Sequence, residues 1–418
     1  MMEEDILEEG YKRALEVLYK NSTSKGFSAS PEHYANYYSI WARDHAICSI
    51  AVCLSNDGEL IETAKNGIFF LLHKQIDYGQ VPSYVEIESK NRVYGGHGAI
   101  TSVDSNMWVI IAAAELYRKT KDIRFLSDVN IKRYNRLYSL LKALDSNNCG
   151  LMEVPVTGDW ADIFNRSYHV LYDECLYYQA LKDLLFLFQE RLKRKRKHEK
   201  FGINNYIFKR IKWLKKRRTK VKRRINELMW FTKDNIEKVR QEYMIVSEIK
   251  VKNYEYYQSF LMPFKNYWSQ RFDSFGNIMA IITEVADKKN RNTIINYVLK
   301  NNINKPFPIT ALHPPVFKNN KDWEPIYSTK EKPYTYHNGG IWPMVGGFWI
   351  HVLSKVYPEK AKEDLEILAK ALKEDNWMFN EQHSGKTGKP LGRNFQAWSA
   401  AGFIIGYFSV KHRINLFI

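Results

Sequence analysis

Cysteine is scarce in this chain. Cys48, Cys53, Cys149 and Cys175 are its only four, and no two stand as a Cys-x-x-Cys pair. Their spacing excludes a disulfide framework or a cysteine-rich zinc site. Long apolar runs are missing too: none approaches the ~18 residues that a membrane span needs. The opening segment, MMEEDILEEGYKR, is acidic and has no apolar stretch of the kind a signal peptide carries. A cytoplasmic protein without a membrane span is therefore expected. Also absent are Gly/Ser/Pro-rich linkers, residue-level repeats and, apart from one basic stretch, low-complexity tracts. No Gly-x-Gly-x-x-Gly follows a strand, and there is no Walker loop, His-Glu-x-x-His or Gly-x-Ser-x-Gly. That removes the commonest nucleotide, zinc-protease and serine-hydrolase chemistries. The 11 histidines are scattered without ligand spacing, so no metal is expected.

What is present describes a globular chain with a large core. Of 418 residues, 45% are hydrophobic, 14% aromatic and 26% charged. Length alone would allow about three domains at the usual ~150 residues each. The missing linkers argue instead for one domain over 1–418. The formal net charge is +17, but Arg191–Arg224 holds 18 of the 63 Lys+Arg and a single acidic residue, Glu199. That segment carries the whole excess and the remainder is neutral, so the bulk of the chain gives no hint of a polyanion partner.

Helical periodicity dominates. Met107, Ile110, Ile111, Ala114 and Tyr117 share one helix face, and Ile207, Ile211, Leu214, Val221, Ile225 and Leu228 mark another that continues to Ile236 and Val239. Period-2 strands are few: Val81–Ile87 and Leu151–Val156. Between the helical segments lie polar-aromatic loops at Tyr37–His45, Tyr94–Trp108, Gly158–His169, Tyr334–Pro343 and Asn380–Trp398. An all-α scaffold whose loops converge on one site is the expectation.

Each loop has a binding reading and a plainer one. In Trp41-Ala-Arg43-Asp44 the indole would stack on a sugar face while Arg43 and Asp44 bond vicinal hydroxyls, or Asp44 caps a helix beginning near His45. Asp104 would bind a hydroxyl against a Trp108 wall, or cap the apolar helix that follows. Gly158-Asp159-Trp160-Ala-Asp162 sets two carboxylates around Trp160. Ala161, Ile163 and Phe164 would desolvate Asp162 and keep it protonated as an acid, whereas Asp159 beside Gly158 reads as a turn residue. Tyr336-His337-Asn338-Gly-Gly-Ile-Trp342-Pro343 packs donors, aromatics and glycines that admit close backbone approach. Glu381 precedes a glycine-bearing loop, with Gln396 and Trp398 starting the last apolar helix; it would activate a water, or is a solvated surface residue.

In their order, these segments resemble the alkaline/neutral invertases and, more distantly, the trehalases and the glucosidase part of glycogen-debranching enzymes. The family phrase V-D-S-G-L-W-W-I-I is matched by Val103–Ile111, R-F-F-S-L-G-N by Arg271–Asn277, Y-H-N-G-G-S-W-P by Tyr336–Pro343, E-Y-Y-D-G by Glu381–Gly385, and Q-T-W-S-I-A-G by Gln396–Gly402. The resemblance implies an all-α (α/α)6 toroid of helical hairpins, and the charge count makes 191–224 a basic helical insertion within it. It implies an inverting glycosidase, invertase-like or amylo-α-1,6-glucosidase-like, acting on an α-glucoside without a cofactor. It places the general acid at Asp162 and the general base at Glu381, with Trp41, Arg43, Asp44, Asp104, Trp108, Trp160, His337, Asn338, Trp342, Gln396 and Trp398 lining a sugar pocket. An inverting pair stands roughly 6.5–9.5 Å apart to admit a water. The chain departs from the family after Asp162, where Ile163–His169 replaces R-R-M-G-I-H-G-H-P, and after Glu381, where Gln-His-Ser replaces Tyr-Tyr-Asp. These positions could hold the leaving group, so the glucosyl side is better marked than sucrose.

Two further readings remain open: a sugar-binding or regulatory toroid that has lost turnover, and a protein docked through 191–224 to nucleic acid, acidic lipid or an acidic partner. The plain alternative for 191–224 is a helix packed by its apolar stripe with solvated charge outside.

Overall fold

A computed structural model describes residues 5–95, 101–194, 201–244, 251–264 and 270–417. Its helices in chain order are α1 Ile6–Asn21, α2 Ala42–Ser55, α3 Gly58–His73, α4 Asp104–Thr120, α5 Asp128–Ala143, α6 Leu171–Lys193, α7 Phe201–Met229, α8 Ile236–Glu242, α9 Ser274–Ile282, α10 Lys288–Lys300, α11 Pro343–Ser354, α12 Pro358–Glu374 and α13 Ala397–His412. Helices α2, α4, α6, α9, α11 and α13 touch in that order, and α13 returns to α2, closing an inner ring. Around it stand α1, α3, α5, α7, α10 and α12, with α1 on α13, α3 on α2, α7 on α6 and α12 on α11. The chain thus folds as an (α/α)6 toroid. Of the basic stretch, residues 195–200 lie outside the described residues, and most of the rest is carried by the outer helix α7.

Composition explains which helices go inside. In α2 every residue from Ala42 to Val52 is buried, and in α11 every residue from Pro343 to Ser354. A helix apolar all round has no solvent face to offer and must be enclosed. Outer helices are two-faced: α12 buries Ala361, Leu365, Leu368 and Leu372 and turns its lysines and glutamates out. Several starts are fixed by aspartate or serine caps. Asp57 accepts from the Glu59 and Leu60 amides at 3.1 Å, Ser127 from Asn130, and Asp287 from Asn290. The helix expected to run on to Val239 stops at Met229. Asn235 donates to the Glu227 and Trp230 carbonyls at 3.0 and 2.9 Å, satisfying the helix end, and α8 starts afresh.

Strands are short, and Ser39–Trp41, His169–Val170 and Phe272–Asp273 run directly into the inner helices α2, α6 and α9. Ser39–Trp41 pairs antiparallel with Tyr84–Glu86, which lies inside the expected Val81–Ile87 strand. Leu151–Val156 forms no strand, only a bridge from Val154 to Tyr168.

Candidate active site

The N-terminal turns of the inner helices and the loops before them enclose a pocket of about 380 Å³. Ten of the thirteen expected site residues line it: Trp41, Arg43, Asp44, Trp160, Asp162, His337, Trp342, Glu381, Gln396 and Trp398. Asp104, Trp108 and Asn338 do not. Asp104 is fully buried beneath Arg43, accepting from its Nη1 at 2.8 Å and from the Tyr172 hydroxyl at 3.1 Å. It is the first residue of α4 and makes no cap. Trp108 is one turn further in, and its indole N–H donates to Tyr172 at 2.8 Å. Asn338 is spent on its own loop: it accepts from the Val316 amide at 2.6 Å and donates to the Val316 and Glu331 carbonyls. Nor does Asp44 cap α2; it stands in the first turn, 6% exposed, facing the pocket.

The walls are aromatic. Trp160 meets His337 and Trp342 edge-on at 4.8 and 5.6 Å, His337 stacks flat on Trp342 at 5.1 Å, and Trp342 meets Trp398 edge-on at 5.4 Å. Trp41 stacks on Tyr84 across the small sheet at 4.4 Å. Such faces suit the apolar side of a pyranose.

The carboxyl groups divide by their partners. Asp159, expected as a turn residue, is buried. It accepts from Arg166 Nε at 2.8 Å and from the Ala161 amide at 2.7 Å, and Arg166 also pairs with Asp273 at 2.8 Å. This network fixes the turn that carries Asp162. Asp162 itself receives no side-chain hydrogen bond among the described residues, and its Oδ1 is buried without a partner. Burial pushes its carboxyl up to about 7, against the pull of Arg43 and with the push of Asp159 and Asp104. Asp44 rises to about 7 for the same first reason. Glu381 is 7% exposed, not a solvated surface residue. Burial raises it to about 7, while the Tyr37 hydroxyl, 3.2 and 3.1 Å from its two oxygens, holds it down.

Sequence reasoning missed several contributors. Tyr37 stands in the first polar segment, but its role depends on a partner 344 residues away. Glu331 is fully buried, accepts from the Asn338 amide at 2.9 Å and sits 2.7 Å from His337 Nδ1, so it sets the imidazole. Lys330, Tyr336 and Arg393 also line the pocket. Gly392 lies behind Glu381 at φ +77°, where an added Cβ would come 2.5 Å from Oε2. The expected close approach of the Gly339–Gly340 pair is to protein: a Cβ on Gly385 would lie 1.9 Å from the Gly339 carbonyl, so two loops cross there.

Comparisons with known proteins agree with this architecture. The family model described as "Alkaline and neutral invertase" matches residues 17–412. Among curated relatives, probable alkaline/neutral invertase A, chloroplastic, of Arabidopsis thaliana is 22% identical over 428 residues, covering 88% of this chain and 64% of the relative. Neutral/alkaline invertase 1, mitochondrial, of Oryza sativa subsp. japonica is 21% identical over 427 residues, again covering 88% and 64%. The chain thus spans under two thirds of the length of these relatives. Among solved structures, the GH63 mannosylglycerate hydrolase of Thermus thermophilus in complex with glucose superposes with a TM-score of 0.64 at 14% identity, over 94% of this chain and 99% of that one. A rhamnosidase from Klebsiella oxytoca with rhamnose bound gives 0.59 at 11% identity, over 99% and 65%. These likenesses are of fold.

Proposed function

The chain belongs to the alkaline and neutral invertase family, and from that premise we propose that it is an inverting glycoside hydrolase cleaving an α-glucoside, a sucrose-like disaccharide or an α-glucan oligosaccharide. Asp162 is the general acid and Glu381 the general base. The observation that carries the reading is that these two carboxyls, from distant segments, line one aromatic pocket and are both raised to about 7.

Burial outweighs the Arg43 charge and the backbone hydrogen bond that favour the ionised form of Asp162, so near neutrality it retains a proton to give the glycosidic oxygen. Glu381 keeps the Tyr37 hydroxyl as a donor, because burial and the Glu381 charge push that phenol far above its ordinary range. The hydrogen bond favours the ionised Glu381 that must take a proton from the attacking water. Trp41, Trp160, Trp342 and Trp398 supply the sugar platform, and Arg43 and Asp44 the hydroxyl contacts. Arg43 is held by Asp104 from below.

One incubation panel tests this: sucrose, trehalose, maltose, isomalto- and malto-oligosaccharides and glucosylglycerate, read by proton NMR for product and initial anomer. Inversion is expected, with Asp162→Asn and Glu381→Gln each losing about 10²–10⁴-fold in rate. Retention of the anomer would overturn the mechanism. Binding without turnover on every member would favour a sugar-binding protein.

A further inference from the structure

The longest outer helix carries more charge than its packing uses. On its inner side, α7 lays Ile207, Ile211, Leu214, Val221, Ile225 and Leu228 against the body, all buried. Its C-terminal half spends its cations locally. Arg217 pairs with Asp145 at 2.5 Å, Lys220 donates to the Asn148 carbonyl at 2.7 Å, and Arg224 pairs with Glu242. In the N-terminal half Arg210 donates to the Tyr206 hydroxyl at 3.0 Å, but the lysines are left over. Lys209, Lys212, Lys215 and Lys216 are exposed and have no acidic partner among the described residues. Beside them Phe208 is 64% exposed and Tyr206 39%. Phe208, Lys212, Lys215 and Lys216 follow helical i, i+4, i+7 and i+8 spacing, so they form one outward ridge. At 1.5 Å per residue it is about 12 Å long.

We propose that this ridge docks the protein on an anionic lipid bilayer. The inference stands apart from the glycosidase reading, because no residue of α7 lines the pocket. Charge complementarity supplies the attraction. The choice among polyanions follows from shape. A duplex major groove is about 12 Å wide and a helix with its side chains fills about 10–12 Å, so only a helix free on most of its circumference can enter. The body lies along α7 from Ile207 to Leu228 and forbids that entry. Single-strand binders stack bases on aromatics that alternate with cations, whereas the two aromatics here stand together at one end. A flat headgroup surface asks only for cations on the outward side and an interfacial aromatic, which the lysines and Phe208 provide. Lysine suits this diffuse role, being a point charge without the geometric fork of arginine.

The test is flotation of the full chain with vesicles of phosphatidylcholine alone or mixed with phosphatidylserine, across a salt series. Binding is expected only to the mixed vesicles and should weaken as salt rises. The quadruple variant Lys209→Gln, Lys212→Gln, Lys215→Gln, Lys216→Gln should lose about 10²–10³-fold in partitioning, with thermal melting unchanged because all four side chains are exposed. Phe208→Ala should weaken binding while leaving the salt slope unaltered. Equal binding to neutral vesicles, no binding to mixed ones, an unaffected quadruple variant, or stronger retention on duplex RNA or DNA at matched phosphate would each overturn the proposal.

Discussion

Replacing Tyr37 by Phe removes the hydroxyl that faces both oxygens of Glu381, at 3.2 and 3.1 Å. A hydrogen bond to a charged acceptor is worth about 1.5–3 kcal/mol, and one pH unit corresponds to about 1.36 kcal/mol. A single proton shared between two oxygens at these lengths belongs at the lower end, so Tyr37 holds the Glu381 pKa down by about one unit. The wild-type value lies near 7; in Tyr37→Phe it should move to about 8. As the proposed base Glu381 must be ionised, so raising its pKa should remove activity from the acid side. The acid limb of the kcat/KM profile, which reports the free enzyme, should shift alkaline by about one unit, and the rate at pH 6 should fall about tenfold beyond any uniform loss. Asp44→Asn is the opposing control. The Asp44 charge helps to raise Glu381, so removing it should move the same limb towards acid, whatever it does to sugar binding. Initial rates against pH for the three proteins decide the matter. An acid limb that stays put in Tyr37→Phe, or the same direction of shift in both variants, would refute the assignment of Glu381 as base.

Two further perturbations probe the support of the site. Gly392→Ala places a Cβ 2.5 Å from Glu381 Oε2 at a positive φ; displacing the proposed base by about an ångström should cost roughly 10²-fold in kcat, with circular dichroism unchanged. Asp104→Asn strips the buried Arg43 of its ion partner at 2.8 Å, which should cost about 3–5 kcal/mol and lower the melting temperature. A raised KM with unchanged melting would instead return Asp104 to the sugar.

The segments that reach the pocket could be found in the sequence because each packs aromatic and polar side chains into a few residues ahead of a helix, as Trp41-Ala-Arg43-Asp44 does. What spacing does not encode is depth. Asp104 beside Trp108 has the same composition as Trp160 beside Asp162, yet the first pair lies under the floor and the second in the wall, because Arg43 reaches down to Asp104. Glu331 was invisible for a similar reason: its partner His337 is close in sequence, but only the folded loop turns the carboxylate inward. The inner ring was legible only as single faces such as Met107–Tyr117, since a helix enclosed on every side loses the two-sided pattern that periodicity detects. The six hairpins form a repeat of architecture, with no residue-level echo.

All six inner helices begin at the pocket end: α2 with Arg43 and Asp44, α4 with Asp104, α6 with Tyr172 reaching Asp104, α9 behind Asp273, α11 after Trp342 and α13 after Gln396. Each start carries about half a positive charge from its aligned peptides, felt within the first turn. The floor is therefore a parallel array of positive poles that no substitution of a side chain can remove. Such a background adds to Arg43 in letting Asp44, Asp162 and Glu381 share one small space. In the proposed reaction it would also oppose the positive charge that the glycosyl group develops as its leaving group departs. Ionised Glu381 and Asp44 would then also offset the potential of the scaffold that holds them.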